Sequence, residues 1–266
     1  MRFRTRAALL AIVLAAALAA CGGGSNLFGP TYEYEEDLTL SLDGSATLVV
    51  NSSVPALVAL RGLPLSTDPA VAVDRNRVRA LYASPYDQVR RVSVWTRRGR
   101  RFVGITLRIP DIRQLTKAPP FAWSTYRLFP KDGEHVFEQR VGPSAFRPGT
   151  LPKVGWDGSE IVAFRLHLPS RINYHNARML DTNAPRSVQR GNILTWEQHL
   201  TDRLEGVPVV IDVRMDSQSI LYRTLWLFAG AFAAAVLVLG LLIWFTMRRG
   251  AAAEESRTAN GQGLKP

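Results

Sequence analysis

Apolar and polar residues alternate along the stretch that follows residue 31, which is typical of β-strands with one buried face. The run LTLSL at 38–42 and the run ATLVV at 46–50 each place their apolar side chains on one side. An Asp-Gly pair at 43–44 lies between them. Because Asp-Gly accommodates the positive φ angles of tight turns, this pattern predicts a β-hairpin with a two-residue turn.

Two helices are predicted nearby. Ser52 or Ser53 can cap a helix that begins around Pro55 and ends at Gly62, since serine caps helix N-termini and glycine ends helices. The segment from Pro69 to Ala83 has a helical spacing of apolar residues, so a second helix is expected there.

The hairpin pattern recurs along the chain. Alternating runs flank residues 97–100, and a further pair, FAWSTYRLF and HVFEQRV, flanks residues 130–134. After an irregular connection at 142–158, three more runs predict strands: EIVAFRLHLPS, NILTWEQHL and GVPVVIDVRMD. The predicted fold class is α+β, mainly an antiparallel sheet of hairpins with short helices, plus one C-terminal transmembrane helix.

Two continuous apolar blocks differ from this pattern. At 1–20, three arginines precede fourteen apolar residues that end in alanines, as in an export signal. At 225–247, 23 residues carry no charge and would form a helix about 34 Å long, enough to cross a membrane. Arg248 and Arg249 follow at once, which places the tail at 248–266 in the cytoplasm and the preceding domain outside.

Cys21 is the only cysteine of the chain and stands directly after the first apolar block. Leu18-Ala19-Ala20-Cys21 resembles the bacterial lipobox, which implies cleavage before Cys21 and acylation of its thiol. The alternative is an incidental cysteine at the end of an ordinary signal. A lone cysteine has no partner for a disulfide within its own chain.

These features predict five segments: a lipoprotein signal peptide at 1–20, the acylated Cys21 and a flexible tether at 21–30, an extracytoplasmic domain at 31–218, a transmembrane helix at 225–247 and a cytoplasmic tail at 248–266. The expected location is the bacterial cytoplasmic (inner) membrane, with the protein lipid-anchored and single-pass, because a spanning α-helix belongs there. A domain of this size is too small to bridge a periplasm, so both anchors are expected in one membrane.

The formal net charge is +11 and falls to +8 when Arg2, Arg4 and Arg6 leave with the signal. Export makes nucleic acid a poor partner for this basic chain, whereas anionic membrane lipids are close at hand. A coding bias toward arginine is the alternative explanation. No nucleophile elbow, phosphate-binding loop, zinc motif or dinucleotide motif occurs, and the four histidines form no compact ligand set. We therefore expect no enzyme, no cofactor and no metal.

Charged residues concentrate in two places. The acidic run Glu33, Glu35, Glu36 and Asp37 is interpreted as a solvated strand face, and the alternative is that it pairs with basic residues or binds a cation. The second predicted hairpin carries the candidate ligand-binding residues Arg90, Arg91, Arg97, Arg98, Arg100, Arg101 and Trp95. Their guanidinium groups could bind lipid phosphates, which they match in geometry. The alternative is a polar edge that prevents aggregation.

A third constellation carries a family resemblance. Leu168-Pro169-Ser170 ends a strand, Asn173 and Asn176 follow, and Trp196 stands on a later strand. This layout, together with the opening hairpin and helix, resembles the LppM-like family of bacterial envelope lipoproteins. The resemblance implies an envelope-facing α+β domain that binds anionic lipid or glycolipid, and it supplies no catalytic residues. Trp196 is more readily a core residue than a ligand contact.

Three functions of different classes remain open. The first is a non-enzymatic, membrane-anchored lipoprotein whose outer domain binds anionic lipid, glycolipid or other envelope components. The alternative is a structural or assembly subunit of an inner-membrane protein complex, because Gly230 and Ala234 belong to small-xxx-small pairs that allow close helix contact. An enzyme acting on cell-wall or lipid substrates is a third hypothesis.

Overall fold

The computed structural model describes residues 32–145 and 154–261. Its strands are β1 (Tyr32–Leu40), β2 (Ala46–Ser53), β3 (Gln88–Arg97), β4 (Arg100–Ile109), β5 (Ser124–Lys131), β6 (Glu134–Val141), β7 (Ile161–His167), β8 (Ile172–His175), β9 (Ile193–His199) and β10 (Val209–Asp216). Its α-helices are α1 (Val54–Arg61), α2 (Arg75–Tyr82), α3 (Leu200–Leu204) and α4 (Ile220–Gly261). Short 3₁₀ helices span Ile112–Lys117 and Pro119–Phe121. The α+β class with mainly antiparallel pairing is confirmed.

The strands form two sheets. A six-stranded sheet has the order β3-β4-β2-β1-β7-β9, and a four-stranded sheet has the order β5-β6-β10-β8. Successive side chains of a strand point to opposite faces, so each sheet has a core face and an outer face. Apolar side chains from both sheets and from α1 and α2 form one buried cluster. This explains why apolar and polar residues alternate along the strands of every predicted hairpin.

Two of the three predicted hairpins have two-residue turns. Arg98 and Gly99 join β3 to β4, and Asp132 and Gly133 join β5 to β6, all with positive φ, as a primed turn requires. The two-residue turn predicted at 43–44 is wrong, because β1 and β2 are joined by five residues, 41–45. Asp43 accepts hydrogen bonds from both the backbone and the hydroxyl of Ser45, which favours this wider loop.

The first predicted helix is confirmed as α1. The Ser53 side chain accepts from the backbone of Ala56, and Gly62 ends the helix with a φ of 65°. The second helix is shorter than predicted at its N-terminal end, because it begins at Arg75 and not at Pro69. Asp74 caps it by accepting from the backbone of Asn76, and the segment before it runs as a loop.

Three residues separate the end of β10 from the start of the C-terminal helix α4. Its segment Ile220–Met247 is long and apolar enough to cross a membrane, and no residue of its most apolar 18-residue window is buried. This agrees with the span predicted at 225–247. The predictions for the signal peptide, Cys21 and the tether concern residues 1–30 and lie outside the described residues.

The relative direction of β7 and β1 shows at which end of the larger sheet α4 begins. Arg165 pairs with Glu35 at 3.0 Å, and His167 contacts Asp37 at 2.9 Å, so the two strands run in the same direction. Two residues beyond His167, Pro169 accepts a hydrogen bond from the backbone of Ile220. The helix α4 therefore begins at the end of the larger sheet that also holds the β1–β2 loop.

Candidate functional site

The arginine-rich hairpin is formed by β3 and β4, and β3 is an edge strand of the larger sheet. Trp95 lies opposite Phe102 in the ladder, and the two rings stack with centroids 5.7 Å apart. A Cβ at Gly104 would stand 3.0 Å from the Trp95 ring and 2.6 Å from the Ser93 hydroxyl. The glycine therefore leaves room for the indole, which is still 37% exposed.

The structure divides the predicted arginines into two groups, and the first is committed to the fold. The Arg100 guanidinium pairs with Glu33 at 2.8 Å and with Glu160 at 3.2 Å, and its side chain is 17% exposed. Arg101 donates from Nε to the carbonyl of Pro69 at 2.8 Å. These two residues tie the hairpin to β1 and to neighbouring loops, so we assign them a structural role.

The second group lies on the exposed parts of β3 and its turn. Arg97 and Arg98 are exposed at the tip, and Arg90 and Arg91 are exposed at the base. Since β3 has 10 residues, its two ends are about 30 Å apart, and the two pairs of arginines are about 20 Å apart. The exposed arginines are therefore distributed along the edge strand and do not form one compact cluster.

The two ends of this edge face different parts of the chain. At the tip end, Arg100 contacts Glu33, the second residue of β1, so β1 begins at this end. At the base end, Gln88 pairs with Arg108, and Arg108 pairs with Thr47 beside the β1–β2 loop. This is the end at which α4 begins.

A buried polar centre between the sheets was missed by the sequence interpretation. It consists of Tyr34, Glu36, Arg61, Trp123, Gln139 and Arg203, and we call it the Glu36–Arg61 centre. Its Glu36 carboxylate accepts from Arg61 and from the hydroxyl of Tyr34, and it accepts from Gln139 at 3.3 Å. The Arg61 guanidinium lies 4.0 Å from the centroid of the Trp123 ring, and Arg203 lies 5.4 Å from it.

Burial dominates the electrostatics of this centre. It raises the pKa of the Glu36 carboxyl to about 8, and the hydrogen bond from Gln139 offsets only part of the shift. Burial also lowers the pKa of Arg61 to about 10. The solvated face predicted for the acidic run is wrong for Glu33 and Glu36, which are 1% and 3% exposed. Glu36 lies two residues from Tyr34 and two from Leu38, so all three side chains point to the same face of β1. This spacing could have indicated that Glu36 is buried.

The residues that carried the family resemblance are structural. Trp196 is 6% exposed, and its indole N–H donates to the side-chain oxygen of Asn176 at 2.9 Å. Asn176 also donates to the carbonyl of Val210 and accepts from the backbone of Asp212. These bonds join the two sheets. Within the described ranges, no three histidine, cysteine or acidic side chains are grouped as metal ligands would be.

Comparisons with known proteins give one distant similarity. The NMR structure of the folded domain of LppM from Mycobacterium tuberculosis matches 73% of this chain and 95% of that domain, with 14% sequence identity and a TM-score of 0.37. No protein-family model and no curated protein matches the chain. A similarity of this size carries no information on the ligand or on the role of any residue.

Proposed function

We propose that this protein is a non-enzymatic, membrane-anchored lipoprotein whose outer domain binds anionic lipid of the membrane that holds it. The observation that carries the proposal is the exposed arginine edge, formed by Arg90, Arg91, Arg97 and Arg98 along β3. Guanidinium groups match phosphate oxygens in geometry and charge. Each basic residue near an anionic surface contributes about 1 kcal/mol of attraction.

Chain geometry supports an orientation with this edge along the bilayer. The proposed anchors join the domain at opposite ends of β3, about 30 Å apart. A domain lying along the bilayer places both of these ends near it, whereas an upright domain holds one of them about 30 Å farther away.

The proposed location is the inner membrane, with α4 crossing it once. Tyr222 and Trp226 lie near the outer end of the apolar segment, and Trp244 lies near the other end. Aromatic residues of this kind favour the two interfaces of a bilayer. Acylation of Cys21 would add a second anchor at the opposite end of the domain.

The test is lipid retention by the full chain purified in neutral detergent. Native mass spectrometry would compare bound phosphatidylglycerol with bound phosphatidylcholine at equal concentrations. We expect a preference for phosphatidylglycerol that falls with added salt, since exposed charges are screened. Replacing Arg90, Arg91 and Arg98 by Gln should reduce this preference by up to about 100-fold, at about 1 kcal/mol per residue.

The matched control removes three exposed arginines elsewhere, Arg75, Arg140 and Arg190, also by replacement with Gln. These lie on α2, on β6 and in the loop before β9. Retention of phosphatidylglycerol by the control and loss by the β3 variant would support the proposal. Equal losses in both variants, or no preference in the native chain, would contradict it.

A structural or assembly role is a second candidate, favoured by the exposure of α4. No residue of the helix's most apolar 18-residue window is buried, and among the described residues no atom beyond the helix's own neighbouring backbone lies within 4 Å of a Cβ built at Gly230. Replacing Gly230 and Ala234 by Leu should prevent co-purification of a membrane partner that packs on this stripe. Unchanged co-purification would exclude that stripe as the contact.

A further inference from the structure

A shallow depression of about 300 Å³ opens on the outer face of the larger sheet, at the end where α4 begins. Its walls carry hydroxyl groups and guanidinium groups. The polar residues that line it are Thr39, Ser41, Ser45, Thr47, Arg90 and Arg108. Among the residues that the structure describes, no carboxylate belongs to this lining.

The sheet register aligns the central part of the depression. Thr39 pairs with Thr47, and Thr47 pairs with Arg108, so their side chains point to the same face. Adjacent strands are about 4.8 Å apart, which places Arg108 within about 10 Å of Thr39. Two hydroxyls and one guanidinium therefore share a short row across three strands.

A β-bulge brings a second guanidinium to this row. The pairing of β3 with β4 shifts between Val89 and Arg91, so Arg90 is the extra residue of the bulge. Bulges redirect side chains and often occur beside functional sites. Here the bulge gives Arg90 a place in the wall of the depression, opposite the threonines.

The nearby acidic side chains have other partners, and one of them, Asp43, accepts from the backbone and the hydroxyl of Ser45 in the wall of the depression. Asp37, which precedes Thr39 on the same face, contacts Arg165 and His167. Asp111 pairs with Arg113 at 2.7 Å. Within the described parts of the chain, neither Arg90 nor Arg108 pairs with a carboxylate, so the depression keeps two uncompensated positive charges.

We infer that this depression binds one phosphate ester group, held by Arg90 and Arg108 and by the hydroxyls of Thr39 and Thr47. Two guanidiniums neutralise a phosphate, and hydroxyl groups donate to its remaining oxygens. Lipid headgroups are one source and soluble phosphate esters are another. The headgroup source rests on the proposed function, because it requires the domain to lie against anionic lipid.

The experiment titrates the full chain in neutral detergent with sn-glycerol 3-phosphate and, separately, with dihexanoyl phosphatidic acid. Calorimetry and ³¹P NMR line widths report binding, and glycerol is the uncharged control. We expect both phosphate esters to bind. Arg108→Gln should weaken binding about tenfold or more, and Thr47→Val about fivefold, the values typical of charged and neutral hydrogen bonds.

The smaller sheet offers a matched control pair, because Thr125 and Arg140 also face each other across neighbouring strands and are exposed. Thr125→Val and Arg140→Gln should leave binding unchanged. Binding of glycerol 3-phosphate alone would assign the site to soluble esters and uphold the phosphate site. No binding of either ester, or equal weakening by the control pair, would overturn it.

This result is separable from the proposed function. If Arg108→Gln and Thr47→Val leave phosphate-ester binding intact while the β3 arginine variant loses phosphatidylglycerol, the phosphate site is refuted and the lipid-binding edge stands. If the phosphate site binds glycerol 3-phosphate while the native chain shows no preference for phosphatidylglycerol, the lipid-binding function is refuted and the site stands.

Discussion

The Glu36–Arg61 centre predicts an unusual dependence of stability on pH. The pKa of Glu36 is about 8 in the folded chain, against an ordinary value of 4.5. Between these two values the folded state binds the proton more tightly than the unfolded state does. The stabilising contribution is therefore fully present below pH 4.5 and is lost as the pH rises through about 8.

The magnitude follows from proton linkage. One proton held by the folded state alone changes the free energy of unfolding by about 1.4 kcal/mol per pH unit. Over the upper part of this range, from pH 5.5 to 7.5, the loss is on the order of 3 kcal/mol. Glu36→Gln removes the titrating group and keeps the side-chain volume, so its stability should change far less over the same range.

The assay is urea unfolding of the full chain in neutral detergent, followed by tryptophan fluorescence at several pH values from 5.5 to 7.5. Glu205→Gln is the matched control, because Glu205 is exposed at the end of α3. The native chain and this control should lose stability in parallel as the pH rises. A native chain that gains stability over this range would contradict the raised pKa of Glu36. So would a Glu36→Gln variant whose free energy of unfolding depends on pH as that of the native chain does.

Three further predictions test the packing, each by the same unfolding assay. Arg100→Gln should lower the free energy of unfolding by about 3 kcal/mol, because it leaves two buried carboxylates without their cationic partner. The control Arg98→Gln at the exposed tip should lower it by less than about 0.5 kcal/mol. Gly142→Ala should destabilise the chain by about 1–3 kcal/mol, since its Cβ would stand 2.7 Å from the carbonyl oxygen of Trp123. Trp196→Phe should cost about 1 kcal/mol through its lost hydrogen bond, and an unchanged midpoint would contradict that role.

The hairpins were predictable because their signals are local. Strand alternation and the turns at Arg98-Gly99 and Asp132-Gly133 depend only on neighbouring residues. The loop at 41–45 was mispredicted because the Asp43 side chain competes for the backbone of Ser45. The N-terminal part of the second helix was mispredicted because Asp74 provides a cap later in the chain.

The site was only partly predictable because charge pairing is not local. The exposure of Arg90, Arg91 and Arg98 agrees with the sequence interpretation, but Arg100 is held by carboxylates 60 or more residues away in sequence. Nothing in the sequence around Arg108 indicates that sheet register places it beside Thr47. The depression is therefore a product of topology, and pattern analysis of single segments does not find it.

The most direct test of the proposed lipid-binding edge measures whether both ends of β3 approach the bilayer. Thr96→Cys and Gln88→Cys place single thiols at the tip and base ends, and both positions are exposed and leave every arginine intact. Thr125→Cys on the smaller sheet is the control, and labelling at Cys21 is measured on the native chain. Each thiol carries a fluorophore, and the full chain is reconstituted in anionic bilayers that contain lipid with a nitroxide headgroup. If the β3 edge lies along the bilayer, the labels at 96 and 88 should be strongly quenched and the label at 125 little quenched. Equal, weak quenching of the labels at 96 and 125 would contradict this orientation.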